Sequence, residues 1–193
     1  DVDILKKIEK KVLWLACWMI HNANHIRENQ DGLKVGGHQA SSASIVSIMT
    51  ALYFNILRPE DRVAVKPHAS PVFHAIQYLS GLQTKEKIEN FRGFGGAQSY
   101  PSRTKDIDDV DISTGSVGLG VAMTSFISLI QDYIARKKFY NNRQLGRMIA
   151  LVGDAELDEG NVYECLQEGW KHDLRNVWWI IDYNRQSLDG VVH

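Results

Sequence analysis

The chain has 193 residues, 22 Lys and Arg against 23 Asp and Glu, and a formal net charge of −1, which leaves no basic stripe of the kind that grips nucleic acid. Hydrophobic residues make up 44%, enough for a sizeable core in one α/β domain spanning residues 1–193, yet no window nears the roughly 18 uninterrupted apolar residues of a membrane span. Two cysteines, Cys17 and Cys165, are too few for a disulfide framework or a four-ligand zinc site; they read as core thiols, a reducing cytoplasm fits them, and DVDILKKIEKK carries charge where a cleavable leader needs an apolar run.

Ile4, Ile8, Val12, Leu15, Met19 and Ile26 recur near a 3.6 period and predict a long amphipathic helix over 3–29. A loop, LKVGGHQASS, follows, and Ser41 or Ser42 is placed to cap a helix over 42–56. RVAV reads as a short strand, SPVFHAIQYLSG as a helix ended by Gly81, and TKEKIENFR as a helix opened by Thr84. Residues 93–114 show no period and carry Gly93, Gly95, Gly96 and Pro101; an ordered loop of about 20 residues is uncommon unless it binds something. SVGLGVAMTSFISLIQDYIARKKF then gives a helix starting at a glycine turn, MIALV a strand, 162–170 a helix and VWWII a strand. Strands alternating with helices predict a parallel sheet with helices on both faces. The halt at Val192 and His193, soon after VWWIID, suggests part of a longer chain.

GDAELDEG, residues 153–160, puts four carboxylates within six positions directly after MIALV. Asn184 follows VWWII thirty positions after Asp154. A helix of about 12 residues runs back about 18 Å and a five-residue strand returns about 16 Å, so a right-handed crossover brings both residues to the carboxyl edge of the sheet, where ligands of such folds sit. Asp154, the Asn184 side chain and the Gln186 carbonyl then offer three oxygens to Mg²⁺, whose remaining positions suit phosphate oxygens and water. Gly153 permits close backbone approach, and the amides of Ala155 and Glu156 are placed to face an anion. The competing reading is plain: a Gly-Asp after a strand is commonly a turn with a helix cap.

Read with DYNRQSLDG, GDAELDEG resembles the thiamine diphosphate fingerprint of transketolases and the homodimeric pyruvate dehydrogenase component. GGHQAS (36–41) is similar to that family's first His loop, KPHASP (66–71) to its second and SVGLG (116–120) to its cofactor-contacting turn. LQTKEKIENFR, SYP (99–101) and NRQSLDG resemble the pyruvate dehydrogenase component more than transketolase, which has a His where Tyr100 stands. The resemblance implies thiamine diphosphate and Mg²⁺ as cofactors, with Asp154, Asn184 and the Gln186 carbonyl on the metal. It implies Val117 and Gly118 beside the aminopyrimidine, and Gly153, Ala155 and Glu156 along the diphosphate. His38, His68 and Tyr100 would line the reaction pocket, and Glu159 would lie near a dimer contact. The implied reaction is decarboxylation of a 2-oxo acid, within a homodimer, with a pyrimidine-binding domain that this sequence lacks and a lipoyl-bearing acyltransferase as partner. Ala155 replaces the fingerprint's last Gly, and Lys66 and Pro67 stand where the pyruvate dehydrogenase has Gln and Gly.

Two alternatives stay open: a transketolase moving a two-carbon ketol unit, and a non-catalytic module that keeps the fold. Other polar residues have plainer explanations. His21 and His25, four apart on a helix, lack a third zinc ligand. His74 and His172 have no motif and read as structural or exposed, Trp178 and Trp179 as core, and Asp106, Asp108, Asp109 and Asp111 as a solvated loop.

Overall fold

The apolar period at the start folds as α1, Val2–His21, opened by the Asp1 carboxylate, which accepts the Asp3 N–H at 2.9 Å, and continued by a π-helical turn, Asn22–Ile26. The computed structural model describes residues 1–29, 32–139, 144–187 and 190–192; Leu188 and Asp189 of the second motif, and His193, lie outside the described residues. The chain divides into two compact units, residues 1–57 with 67–110 and residues 58–66 with 111–193.

The first unit is helical among its described residues. α1 packs against α2 (Gln39–Ala43), α3 (Val46–Ala51) and α4 (Ser70–Leu79) through Val12, Ala16, Met19, Met49, Val72 and Phe73, all at most 2% exposed. The helix expected over 42–56 is instead broken at Ser44–Ile45 into α2 and α3, with a π turn at Leu52–Ile56. Ser42 is buried and its hydroxyl donates to the His68 carbonyl at 3.4 Å, so it ties α2 to the turn that carries His68 rather than capping a helix. α4 ends as expected, with Gly81 at φ +77°. α5, Lys85–Glu89, is opened by the Thr84 hydroxyl, which accepts the Lys87 N–H.

In the second unit β1 (Arg62–Ala64), β2 (Met148–Gly153) and β3 (Val177–Asp182) form a parallel sheet in the order β1-β2-β3, with Arg62 opposite Met148 and Gly153 opposite Asp182. β2, flanked on both sides, is buried along its apolar run, as parallel strands are. α6, Leu119–Arg136, packs on the sheet, and Val121, Ala150, Val152, Val162 and Cys165 make a core between it, β2 and α7, Gly160–Lys171. Asp61 fastens the β2 entrance: its carboxylate accepts from the Arg147 backbone and guanidinium. Burial would raise the Asp61 pKa, but the Arg147 bonds and the backbone N–H groups of Arg147 and Arg58 outweigh it and hold it at about 2.

Trp179 packs against the core cluster, whereas Trp178 is 40% exposed with the Arg147 guanidinium 4.3 Å above its ring, a cation-π contact rather than the expected core position. A short antiparallel pair that no period announced, β4 (Gln186–Ser187) and β5 (Gly190–Val191), follows β3. Among the described residues no helix is long and apolar enough to cross a membrane.

Candidate functional site

Two groups of predicted residues assemble, one in each unit. In the first, His38 precedes α2 and His68 lies in the 3₁₀ turn Pro67–Ala69; their rings are 4.5 Å apart between centroids, tilted by 57°, and both residues are exposed. The Gly36–Gly37 turn before His38 needs glycine at its second position, where φ is +123° and a Cβ would meet Ile20 at 3.1 Å. Asn24 grips that turn through both amide atoms, its Nδ2 donating to the Gly36 carbonyl at 3.0 Å and its Oδ1 accepting the Gly36 N–H at 2.9 Å. Sequence reasoning missed Asn24; an amide at the end of an apolar helix was its one signal. Tyr100 is 38% exposed, one residue after Ser99, whose carbonyl accepts from the Ser70 hydroxyl at 2.5 Å.

In the second unit Asp154 is 3% exposed. One oxygen accepts the Ala155 N–H at 3.0 Å and the other the Arg185 N–H at 2.6 Å, so the acid joins the loop after β2 to the loop after β3, as the thirty-residue spacing predicted. Arg185 adopts φ +59° between Asn184, whose side-chain oxygen accepts the Gln186 N–H at 3.0 Å, and Gln186. Glu156 ties in a third segment: Oε2 accepts the Gly153 N–H at 2.7 Å and Oε1 the Gly118 N–H at 3.2 Å. Gly118 opens α6 at φ +79°, and a Cβ there would meet the Asn161 side chain at 2.3 Å, so glycine is required. Val117, beside it, is exposed. The Ala155 amide, expected to face an anion, is committed to Asp154 in this arrangement.

The residues fit a magnesium-held diphosphate. A carboxylate has about four acceptor positions, and Asp154 spends two of them on amides. With the Asn184 amide oxygen and the Gln186 carbonyl the donor set is all oxygen, which suits a hard cation.

The acids of the 93–114 segment are a different case, and the solvated-loop expectation fails for Asp108, which is 7% exposed. His74 Nδ1 is 2.7 Å from Asp108 Oδ2, its Nε2 is 2.9 Å from the Gln98 carbonyl, and Gln83 donates to the other Asp108 oxygen. Asp106 accepts the N–H groups of Gln98 and Ser102 at 2.9 and 2.8 Å. Both ring nitrogens of His74 face oxygen atoms that can accept, an arrangement that favours the protonated ring. Burial pushes its pKa down, yet the bond to and charge of Asp108 push harder, and the net shift is upward. His74, Asp106 and Asp108 bring ligand atoms within 4.8 Å of one another, but each is already partnered, and the cluster is a clamp on an irregular segment rather than a metal centre. Two clefts in the second unit, of about 330 and 470 Å³ and sharing Ser125, Cys165 and Leu174, are lined by none of the predicted site residues.

Residues 35–193 match the family described as transketolase, thiamine diphosphate binding domain. The pyruvate dehydrogenase E1 component of Mycolicibacterium smegmatis is 27% identical over 203 residues, covering 100% of this chain and 21% of that protein. The Pseudomonas aeruginosa E1 component is 29% identical over 201 residues, covering 100% and 22%. The chain thus spans about a fifth of the length of the curated relatives it matches. Among solved structures, transketolase from Leishmania mexicana superposes with a TM-score of 0.83 at 20% identity, over 97% of this chain and 28% of that one. Transketolase from Campylobacter jejuni gives 0.79 at 25% identity, over 99% and 30%.

Proposed function

This chain belongs to the transketolase thiamine diphosphate-binding domain family, and on that premise we propose that it supplies the diphosphate and Mg²⁺ half of the site in a 2-oxo acid dehydrogenase of the pyruvate type. The observation that carries this is the 2.6 Å bond from the Arg185 N–H to Asp154, which fastens the two cofactor motifs to each other. Asp154, Asn184 and the Gln186 carbonyl hold the metal, Gly153 and Ala155 border the diphosphate, and Glu156 sets Val117 and Gly118 beside the pyrimidine end. When bound, thiamine diphosphate supplies the electron sink for the pair left as carbon dioxide departs. The His38 and His68 imidazoles move protons at the substrate oxygen, each ring carrying one nitrogen that donates and one that accepts.

Pyruvate-type chemistry is favoured by the E1 components that match along the whole chain and by Tyr100 before Pro101. A phenol offers one donor on a flat ring, fitting a small 2-oxo acid rather than a ketose. The remaining partners of this reading are a pyrimidine-binding domain, a second copy of the chain and a lipoyl-bearing acyltransferase. The test is an assay of the full-length protein, saturated with thiamine diphosphate and Mg²⁺, for pyruvate decarboxylation and for ketol transfer from a ketose phosphate. Decarboxylation without ketol transfer is expected, and Tyr100→Phe should slow the first without creating the second. The reverse pattern would make the protein a transketolase; cofactor binding with neither activity would make it a non-catalytic module.

A further inference from the structure

Each strand of the parallel sheet delivers one charged side chain to its carboxyl end: Lys66 just after β1, Asp154 after β2 and Asp182 at the end of β3. Lys66 Nζ lies 2.6 Å from Asp182 Oδ2, and the two side chains are only 3% and 5% exposed. Asp182 is the register partner of Gly153, so it stands next to the turn that presents Asp154. Two residues beyond Asp182 comes Asn184, and the next amide, that of Arg185, closes onto Asp154. A buried ammonium and carboxylate lose hydration that their attraction seldom returns in full, and an apolar pair of similar volume often serves stability as well or better. The centre of β2 follows that rule, with Ile149 and Ala150 fully buried. The Asp61–Arg147 pair at the amino end keeps its guanidinium 15% exposed; the pair with both partners buried, the exception in this sheet, falls at the carboxyl edge, where α/β sheets bind ligands.

Charge at that edge explains the exception. Without Lys66, Asp154 and Asp182 would set two negative charges beneath a polyanion. With it, Asp182 is cancelled, and Asp154, which among the described residues meets backbone amides rather than a cationic side chain, keeps its charge for a divalent cation. We propose that Lys66 is the built-in countercharge of the diphosphate site: its ammonium neutralises Asp182, holds the end of β3 from which the Asn184–Gln186 loop departs, and so removes the Asp182 charge from beside Asp154, the strand-end acid presented to a cation-bound diphosphate. Lys66 is a positioning residue, acting through Asp182, and the assignment rests on the diphosphate reading above.

The test is calorimetric binding of inorganic pyrophosphate, with and without Mg²⁺, to the full-length protein and its Lys66→Met, Lys66→Arg and Lys66→Met/Asp182→Asn variants, with Asp154→Ala as control. Lys66→Met should weaken Mg²⁺-dependent binding about tenfold or more, while Lys66→Arg stays within about threefold. The double variant should return to within about threefold of wild type although it lacks the ammonium, because the opposing carboxylate charge has gone with it. It also leaves no buried charge unpaired, so it reports even where the single variant fails to fold. Wild-type affinity in Lys66→Met, or a double variant as weak as the single one where that folds, overturns the countercharge. Absence of Mg²⁺-dependent binding in the wild type, or its survival in Asp154→Ala, overturns the diphosphate reading itself and the countercharge with it.

Discussion

Asp108 in the first unit and Asp154 in the second are buried to similar degrees, 7% and 3% exposed, and differ in what occupies their oxygens. Asp108 meets a side-chain donor on each, His74 and Gln83, and His74 spends its other nitrogen on a carbonyl. Asp154 meets two backbone amides from the loops it joins. The first arrangement is closed, every group answering another; the second fixes the carboxylate while leaving it acceptor capacity. Burial alone therefore does not mark a ligand-binding acid. What sets Asp154 apart from Asp108 is that main-chain donors, which cannot leave, position its carboxylate without neutralising it.

The strongest way to break this contrast is to exchange the outcomes. Asp154→Ala should weaken Mg²⁺-dependent binding of thiamine diphosphate about a hundredfold or more in the full-length protein, beyond the loss typical of groups behind a metal ligand; unchanged affinity by calorimetry would put Asp154 among the closed, structural acids. His74→Ala should do the opposite, destabilising the fold by about 3–5 kcal/mol by stranding Asp108 in the interior, while cofactor affinity of the folded protein holds. A loss of affinity larger than the loss of stability would move His74 out of the clamp. Gly118→Ala lies between: the left-handed backbone and the Asn161 approach should cost about 1–2 kcal/mol and should weaken the cofactor severalfold by displacing the amide that Glu156 holds.

The smallest effect, in pH, sharpens the contrast between units. The pKa of His74 is raised on folding, so its contribution to stability is whole below about pH 6.5 and is lost as the pH climbs through the raised value. That of Asp61 is lowered to about 2, so its contribution is whole above about pH 4 and is lost as the pH falls toward 2. Melting curves across pH should show an alkaline loss that His74→Gln removes and an acid loss that Asp61→Asn removes. The same acid loss in both variants would mean that another carboxylate dominates.

What could be read from the sequence follows the range of the interactions. Gly81 and Thr84 act within one turn of the chain, and their roles were legible, as was the glycine turn that opens α6 at Gly118. The approach of Asp154 to the loop of Asn184 was legible because a strand-helix-strand unit has fixed dimensions. The His74–Asp108 pair spans 34 positions and the Lys66–Asp182 pair 116, with no periodic element to carry the eye across. So Asp108 read as solvated and Lys66 only as a departure from a family pattern. Trp178 was misjudged for a related reason: apolar runs imply strands covered on both faces, but β3 flanks β2 and leaves Trp178 to the Arg147 guanidinium.

The second unit is built from two stretches of chain, and the shorter, residues 58–66, is synthesised before a 44-residue passage that belongs to the first unit. β2 and β3 can pair across a crossover of 29 positions, Met148 to Val177, whereas β1 must find β2 across 86, Arg62 to Met148. Closure entropy grows with the span, so the shorter pairing has the smaller barrier. The Asp154–Arg185 tie is then in place before Lys66 reaches Asp182, and the acids of the carboxyl edge come together while still lacking the Lys66 ammonium. Pulse-labelled amide exchange should accordingly protect Ile180 ahead of Val63, and a chain caught between those two events would be the state most open to stray cations.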